Sequence, residues 1–430
     1  MFGADPLGII FAALFVMIFI LVGIAGREYM EHEGGTRQFY ALFISTGIVM
    51  TLLCFAGNFF TYYVLFEFMT FISMPLVLHD RSHESVMAAL KYLFYSVGGA
   101  FLSLFGFFLF MKNGCDLSFC PGGSLGNVTL SSRELFAVFL MIIGFGTKAG
   151  MFPMHGWLPT AHPVAPAPAS AVLSGCITKA GVLGIIRCIF YVVGPEKIKG
   201  TWVQNLWLVL AMITVFMGSM MAYQEKVFKK RLAYSTVSQV SYVMFGLALL
   251  QPISFVGAVL HVIFHSIVKD TLFLVAGAVI MKTGRKKVSE LDGLGRKMPV
   301  TFWCFTLVSV TLIGIPPTSA FVSKWYLGVG SLASGIPVIR WLGVAVLLIS
   351  ALLTAGYLLT ITLHAFFSED GAVDAKAGAD DEAHGRGAVT DPGPGMLIPL
   401  VILTAAAVIL GIMPGGLIDA IENIAQTLFL

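Results

Sequence analysis

Charged side chains are scarce in this sequence. They account for 11% of its 430 residues, and hydrophobic side chains account for 57%. Soluble domains, by comparison, are about 25% charged. The mean hydropathy is +0.89. The net charge of +3 is too small to indicate a surface for nucleic acid. This composition excludes a soluble globular domain and indicates an integral membrane protein.

The sequence also lacks the motifs of nucleotide, redox or covalent chemistry. It contains no phosphate-binding loop, dinucleotide fingerprint, Ser-His-Asp arrangement or haem motif. Its six cysteines are scattered, although Cys115 and Cys120 share a loop and could form a disulfide. A secretory leader is not indicated, because residues 1–7 lack a basic region. We therefore expect no catalytic residue, no cofactor and no metal ion in this chain.

Long apolar segments are abundant instead. A membrane-spanning helix needs about 20 apolar residues, and about twelve segments of suitable length occur here. Because helices satisfy their own backbone hydrogen bonds in lipid, residues 1–430 are predicted to form a single all-α polytopic membrane domain. The segments lie near residues 8–26, 38–57, 59–78, 86–111, 134–152, 166–193, 204–222, 236–250, 254–281, 299–327, 339–367 and 396–414, followed by a short amphipathic segment.

Residues 368–395 differ in composition from the apolar segments. They are rich in Ala, Gly, Asp and Pro, and they include the acidic run Asp380, Asp381 and Glu382. We interpret this stretch as a flexible cytoplasmic loop. A docking site for a soluble partner is the alternative.

The distribution of basic residues between the loops predicts the orientation. With the N-terminus placed outside, the inner loops and helix ends hold 16 Lys and Arg residues, and the outer loops hold 5. Loops on the cytoplasmic side carry the excess of positive charge. The protein is therefore expected in the cell (inner) membrane as a multi-pass protein with both termini external.

Six ionisable side chains lie inside the apolar segments. A charge at the bilayer centre costs about 2.5–3.5 kcal/mol on insertion scales, so such residues face a wet cavity, pair with each other or carry ions. The six are Glu67, Lys148, Lys179, Arg187, Lys269 and Lys324. Together they predict a proton or cation pathway through the membrane.

The first of these residues suggest a gate and a relay. Glu67 is interpreted as a carboxylate that pairs reversibly with Lys148, with a protonated packing residue or a static ion pair as alternatives. Lys179 is interpreted as a relay whose small neighbours leave room for water. Arg187 stays charged at any relevant pH, so a structural or electrostatic role is expected for it.

A row of histidine and lysine side chains continues the series. His261, His265 and Lys269 are spaced four residues apart, which places them on one helical face. Imidazole can accept and release protons near neutral pH, so we predict a proton relay. A metal site and structural hydrogen bonding are the alternatives, and Asp270 is expected to point off this face. Lys324 is predicted to be the outer proton site, or else to snorkel to the interface.

Two apolar segments are predicted to be broken, each beside a lysine. One contains Gly144–Gly150 before Pro153, and the other contains Gly314–Ser319 before Lys324. Broken helices in two halves of a membrane protein are typical of ion sites between inverted repeats. In the loop after the first break, two histidines at positions 155 and 162 could admit protons or be purely structural.

Several motifs resemble one known family. Residues 153–162 match Pro-x-His-x-Trp-Leu-Pro-x-Ala-His, and residues 231–239, 265–269 and 314–319 match further motifs. The chain resembles, over nearly its whole length, the antiporter-like membrane subunits of respiratory complex I, membrane-bound hydrogenases and Mrp-type sodium/proton antiporters. Its Ser-Gln pair, residues 238–239, and its Thr-Lys-Ala-Gly run, residues 178–181, look most like the D-type Mrp subunit.

The resemblance implies two inverted five-helix repeats with two discontinuous helices. It implies a proton pathway formed by Glu67, Lys148, Lys179, His261, His265, Lys269 and Lys324. Family members usually have fourteen helices, and Glu67 comes about two helices early. A separate small subunit is expected to take the place of the two N-terminal helices, or else the gene start is misplaced.

The resemblance also implies function and partners. The expected function is that of a proton-translocating subunit, linked or not to sodium, within an Mrp, hydrogenase or NADH:quinone oxidoreductase-like assembly. Its partners would be other membrane subunits, lipid, H⁺ and, in an antiporter, Na⁺. The alternative is a non-transporting scaffold that anchors soluble enzyme subunits at the membrane.

Overall fold

The chain is almost entirely helical. The computed structural model describes residues 2–111, 117–126, 129–368 and 389–429, and those ranges contain no β-strand beyond isolated bridges. The helices are α1 (Pro6–Glu33), α2 (Thr36–Cys54), α3 (Phe59–Val77), α4 (His83–Met111), α5 (Ser132–Ala149), α6 (Leu158–Val164), α7 (Ala167–Val193), α8 (Trp202–Gln224), α9 (Phe228–Ala248), α10 (Pro252–Thr283), α11 (Pro299–Ile313), α12 (Ser319–Leu332), α13 (Pro337–Phe367), α14 (Pro394–Ile412) and α15 (Gly415–Leu428).

The predicted apolar segments and the observed helices agree. Each of the twelve segments contains a helix, and the all-α prediction is confirmed. Among the described residues, nine helices are long and apolar enough to cross a membrane: α1, α2, α3, α4, α7, α8, α10, α13 and α14. The outer helices expose large apolar side chains such as Phe94, Phe101 and Leu352. Apolar surface on this scale is typical of a protein that faces lipid.

Helices α7 and α10 form the centre of the bundle. The most apolar stretch of α7 is completely buried and that of α10 is 94% buried, whereas the corresponding stretches of the other spanning helices are at most half buried. The first π-helical stretch of α7, Leu173–Ile177, precedes Lys179, and the second is Arg187–Val193. Such wider turns occur often at functional sites. The two helices that carry most of the predicted pathway therefore lie farthest from the bilayer.

Both predicted breaks are present. Helix α5 ends at Ala149 and the chain passes through a non-helical loop before α6 begins. Helix α11 ends at Ile313, followed by Gly314 with a φ of 91°, before α12 begins at Ser319. Glycine adopts this left-handed conformation at little cost. The two interrupted helices are thus a confirmed property of the fold.

The structure describes only the two ends of the predicted flexible loop, residue 368 and residues 389–395. Residues 369–388 of that loop, like Cys115 of the suggested disulfide, lie outside the described residues. Asp391, however, caps helix α11. Its carboxylate accepts hydrogen bonds from the backbone N–H groups of Val300 and Thr301 at 3.1 and 3.0 Å, and from the Thr301 hydroxyl at 2.6 Å. Because an N-terminal cap fixes the residues that supply it, the end of this stretch belongs to the folded bundle.

An ion pair fixes the start of α1 to the end of α7. Asp5 accepts two hydrogen bonds from the guanidinium of Arg187, at 2.8 and 2.6 Å, and one from the Tyr191 hydroxyl at 2.9 Å. The Arg187 side chain is almost fully buried and lies over the rings of Phe119 and Tyr191. These contacts confirm the structural role expected for Arg187.

Candidate ion pathway

Lys148 lies in the last turn of α5, where hydroxyl groups surround its ammonium. Nζ donates to Thr70 Oγ1 at 2.8 Å, to the Tyr92 hydroxyl at 2.9 Å and to Ser96 Oγ at 3.0 Å. The ammonium has three N–H donors, so all of them are occupied. The side chain is 1% exposed. Helices α3 and α4 therefore hold this lysine through neutral oxygens and not through a carboxylate.

Trp157 of the Pro-x-His-x-Trp motif explains how the first break is tolerated. The last carbonyl groups of a helix lack partners within the helix, and Trp157 Nε1 donates to the carbonyl of Thr147 at 2.9 Å. The indole ring also packs on Tyr92, with 4.8 Å between the ring centroids. The loop after the break thus fixes both the end of α5 and one of the hydroxyl groups that hold Lys148.

Glu67 does not contact Lys148 in this arrangement. Its Oε1 atom is buried and has no hydrogen-bond partner within the part of the chain that the structure describes. In the described part of the chain, no ion pair joins its carboxylate to Lys148 within 4.0 Å. The interpretation of a static ion pair is therefore wrong for this structure. A carboxylate that pairs reversibly remains a prediction.

Helix α7 touches α5 directly beside Lys148. A methyl group placed on Gly181 would lie 2.5 Å from the carbonyl oxygen of Phe145 and 3.0 Å from Lys148 Cβ, so only glycine allows this approach of the two backbones. The Tyr62 hydroxyl of α3 also donates to the carbonyl of Ala180 at 2.5 Å. The sequence predicts that the small residues around Lys179 leave room for water. Here Gly181 is in contact with α5 instead, because the close packing of α7 on α5 fills the space beside it.

Lys179 is in contact with the histidine row. Its ammonium donates to the carbonyl of Ser174, in the first π-helical stretch, and lies 2.8 Å from His265 Nδ1. The rings of His265 and His261 are nearly parallel, with centroids 6.0 Å apart. His261 Nδ1 lies 2.9 Å from Ser323 Oγ. The structure therefore brings the predicted relay residues of α7 and α10 together and extends them to α12.

Lys324 is in α12, directly after Ser323, and it caps the broken helix. Its Nζ donates to the carbonyl of Leu312 at 2.6 Å and to that of Ile313 at 3.0 Å. A cation is favoured at a helix C-terminus, where carbonyl groups lack partners. The side chain lies over the ring of Tyr242, which stacks on His261. The snorkelling interpretation is wrong here, because the ammonium turns inward to the break.

Lys269 is separate from the two histidines that share its helical face. Its Nζ donates to the carbonyl of Leu232 in α9 at 3.1 Å, and the side chain is fully buried. One turn earlier in α9, Lys229 is also buried and donates to the carbonyl of Ala165 at 2.9 Å. From the sequence, Lys229 is counted among the basic residues of the inner loops and helix ends. The structure adds it to the buried cations.

Two further buried residues have no place in the predicted pathway. His162 is fully buried in α6 and stacks on Phe273 at 4.6 Å between centroids, and neither ring nitrogen has a hydrogen-bond partner in the described ranges. Asp270 of α10 is fully buried, and neither carboxylate oxygen has a partner among the described residues. The sequence signal for Asp270 is its position next to Lys269, inside an apolar segment. Asp270 therefore joins the six ionisable residues identified within the apolar segments.

The helical bundle and its buried row of lysine and histidine side chains place this chain among the polytopic membrane proteins with charged residues at membrane depth. Residues 56–368 match the family described as NADH:quinone oxidoreductase/Mrp antiporter, transmembrane, and the chain belongs to this family. The predicted resemblance to antiporter-like membrane subunits is confirmed.

Relatives in three kinds of complex are similar to this chain. It is 33% identical over 431 residues to the N subunit of the NADH-quinone oxidoreductase of Desulforudis audaxviator, with 98% of this chain and 83% of that protein covered. It is 30% identical over 383 residues to the D subunit of the Na⁺/H⁺ antiporter of Bacillus subtilis, with 85% and 75% covered. It is 32% identical over 340 residues to hydrogenase-4 component B of Escherichia coli, with 75% and 49% covered.

Solved structures share the fold. The match to a chain of the Mrp complex from Dietzia sp. DQ12-45-1b has a TM-score of 0.85 at 22% identity and covers 100% of this chain and 84% of that one. The match to a chain of respiratory complex I from Thermus thermophilus has a TM-score of 0.82 at 22% identity and covers 99% and 86%. The fold of this chain is therefore that of membrane subunits in large assemblies.

Proposed function

We propose that this chain is a proton-translocating membrane subunit of a multisubunit complex. The single observation that carries the proposal is the contact of Lys179 with His265 between the two most buried helices, continued by the contact of His261 with Ser323 beside Lys324 in α12. Family membership supports it, since relatives are named as subunits of quinone oxidoreductases and Na⁺/H⁺ antiporters.

The proposed route runs from Glu67 and Lys148 through Lys179 to the histidines and on to Lys324. Lys148 would accept a proton when Glu67 turns toward it and release it when Glu67 withdraws, because a nearby carboxylate favours the charged lysine. Imidazole accepts a proton on one nitrogen and releases one from the other, which suits His265 and His261 to pass the proton along. Lys269 would supply a side branch of this proton route toward α9.

Sodium and orientation are further parts of the proposal. A lysine and histidine row suits H⁺, and Na⁺ would cross at a different subunit of an antiporter complex.

The excess of basic residues on one side supports a cell (inner) membrane location with both termini external. The chain itself would carry no cofactor, and its energy would come from a redox module or from an opposing ion gradient.

A small membrane subunit is the partner that we propose for helices α1 and α2. The two helices enclose an apolar groove of 1030 Å³ lined by residues that include Ile20, Ile24, Ile44 and Ile48. Gentle extraction from the native membrane, followed by mass spectrometry and cross-linking at Ile24, is expected to recover a small hydrophobic subunit attached there. Recovery of cross-links to lipid alone would contradict this partner. Co-purifying iron–sulfur proteins would identify a redox-driven complex.

The test of the proposed function is replacement of Lys148, Lys269 and Lys324 together by methionine. We expect proton transport by membrane vesicles containing the complex to fall to background while the complex still assembles. The long apolar side chain of methionine fills the space without carrying a proton. Replacement of the exposed Lys199, which pairs with Glu196 at the surface, is the control and should leave transport unchanged.

A non-transporting scaffold is the second candidate function. It is favoured by the acidic run at residues 380–382, which could bind a soluble partner. Full activity of the complex with the triple methionine variant would establish the scaffold and exclude the pathway. A scaffold gives no reason to bury so many ionisable groups, each of which opposes insertion.

A further inference from the structure

Asp270 occupies a position that packing does not explain. Its side chain is 0% exposed, and both carboxylate oxygens lack a hydrogen-bond donor among the described residues. Buried polar groups in native proteins nearly always have partners, so an exception calls for an explanation. An ionised carboxylate in such a place is costly unless a cation lies beside it.

Helix α7 is shaped to receive this carboxyl group. Gly175, in the first π-helical stretch, lies directly against it, and a methyl group on Gly175 would overlap both carboxylate oxygens. Lys179 follows Gly175 by four residues and therefore lies on the same side of α7, one turn further along. Asp270 is consequently aimed at the face of α7 that carries the relay lysine.

Lys179 is a buried cation close enough to interact electrostatically with Asp270, and Asp270 interacts in the same way with the thiol of Cys176. The ammonium now contacts the carbonyl of Ser174 and His265 Nδ1. The imidazole of His265 and the carboxylate of Asp270 are therefore two groups that can accept its proton. Glu67 stands in the same relation to Lys148, with an unpartnered carboxylate oxygen near a lysine held by neutral groups.

We propose that Asp270 is a proton-binding residue of the pathway and the counter-charge of Lys179. The proton moves from Lys179 Nζ to a carboxylate oxygen of Asp270, which converts an ammonium and a carboxylate into a neutral amine and a neutral acid. The reverse transfer restores both charges. Lys179 can then hold a proton beside Asp270 or offer it to His265, depending on which acceptor it faces. This role rests on the proposed function, because it needs protons to pass Lys179.

The test compares Asp270→Asn with a matched control on the same helix. Asparagine keeps the shape but cannot bind a proton, so we expect proton transport to fall at least tenfold in the assembled complex. Ser266→Ala, one turn earlier, removes a buried hydroxyl that donates only to its own helix and should transport normally. Asp270→Asn combined with Lys179→Met should be no slower than Lys179→Met alone, since residues acting as a unit are not additive.

If the Asp270→Asn complex does not assemble, a spectroscopic measurement on the wild-type complex tests the proposal instead. In the wild-type complex labelled with ¹³C-aspartate, infrared difference spectra should contain the carbonyl band of a protonated carboxyl group, which disappears on alkalinisation. Gly175→Ala, which crowds the carboxyl group without removing it, should shift that band. Absence of the band at every pH, or normal transport with an unchanged pH profile in Asp270→Asn, would overturn the proposal.

The two levels of proposal can fail separately. Normal transport by a variant that lacks Lys148 would remove the proposed function itself. Loss of transport without Lys148, together with normal transport by Asp270→Asn, would leave the pathway in place and remove only the role of Asp270.

Discussion

Replacing Lys148 by alanine should abolish proton translocation while the complex still assembles. The ammonium is held by Thr70, Tyr92 and Ser96, and no other described basic side chain contacts these three hydroxyl groups. Removal of the lysine therefore interrupts the proposed route between Glu67 and Lys179. Proton uptake by vesicles containing the complex should fall at least a hundredfold, and the measurement is the pH change inside them.

Assembly should survive because two of the three hydroxyl groups keep other partners. The Tyr92 hydroxyl still bonds Ser73 at 2.8 Å, and Thr70 Oγ1 still donates to the carbonyl of Phe66 at 3.1 Å. Lys91, which is not part of the proposed route, offers a control whose replacement by alanine should not affect transport. An assembled Lys148→Ala complex that pumps at the wild-type rate would exclude this lysine from the path.

Lys148→Arg separates charge from proton transfer. A guanidinium stays protonated at any accessible pH, so this variant keeps the positive charge but cannot pass a proton on. It should be as inactive as Lys148→Ala. Full activity of Lys148→Arg would mean that the site acts only as a fixed charge.

Replacing Asp5 by alanine should destabilise the folded chain strongly. It would leave the Arg187 guanidinium buried without its carboxylate, and removal of one partner of a buried ion pair costs about 3–5 kcal/mol. Because the Asp5 side chain is 26% exposed, the lower end of this range is expected. The measurement is the Tm of the detergent-purified protein. Glu31→Ala, which breaks the exposed pair with Arg27, should change stability by less than about 1 kcal/mol.

The same ion pair predicts sensitivity to acid. Burial disfavours the charged form of Asp5, but the hydrogen bonds and charge of Arg187 outweigh burial and hold the pKa of Asp5 below its usual value. Its contribution to stability is therefore complete above the usual aspartate pKa and is lost as the pH falls through the lowered value. The difference in Tm between wild type and Asp5→Ala should shrink over that acid range, and a difference independent of pH would contradict an ionic origin.

The sequence was sufficient to predict the helices and the two breaks. Apolar length predicts a span, and Gly and Pro beside Lys148 and Lys324 predict an interruption, because both are local properties. The spacing of His261, His265 and Lys269 also predicts a shared face correctly. What local spacing cannot give is the partner on another helix.

The residues whose contacts differ from the prediction show this limit. Lys269 shares its face with the histidines but extends to the carbonyl of Leu232, and Lys324 turns inward to the end of α11. Asp270 follows Lys269 by one residue, and its carboxylate lies against Gly175 of α7. Most of these contacts join segments far apart in sequence, and each depends on which helices are neighbours.

The burial of α7 and α10 has a consequence for how the bilayer can influence this protein. Other helices surround Lys179, His261 and His265, which are at most 1% exposed, so acyl chains do not touch these groups. Helix α3, which carries Glu67, exposes Phe68 and Phe71 at the bundle surface instead. Surrounding lipid and neighbouring subunits therefore contact the helix at the start of the row, and they reach its middle only through the other helices.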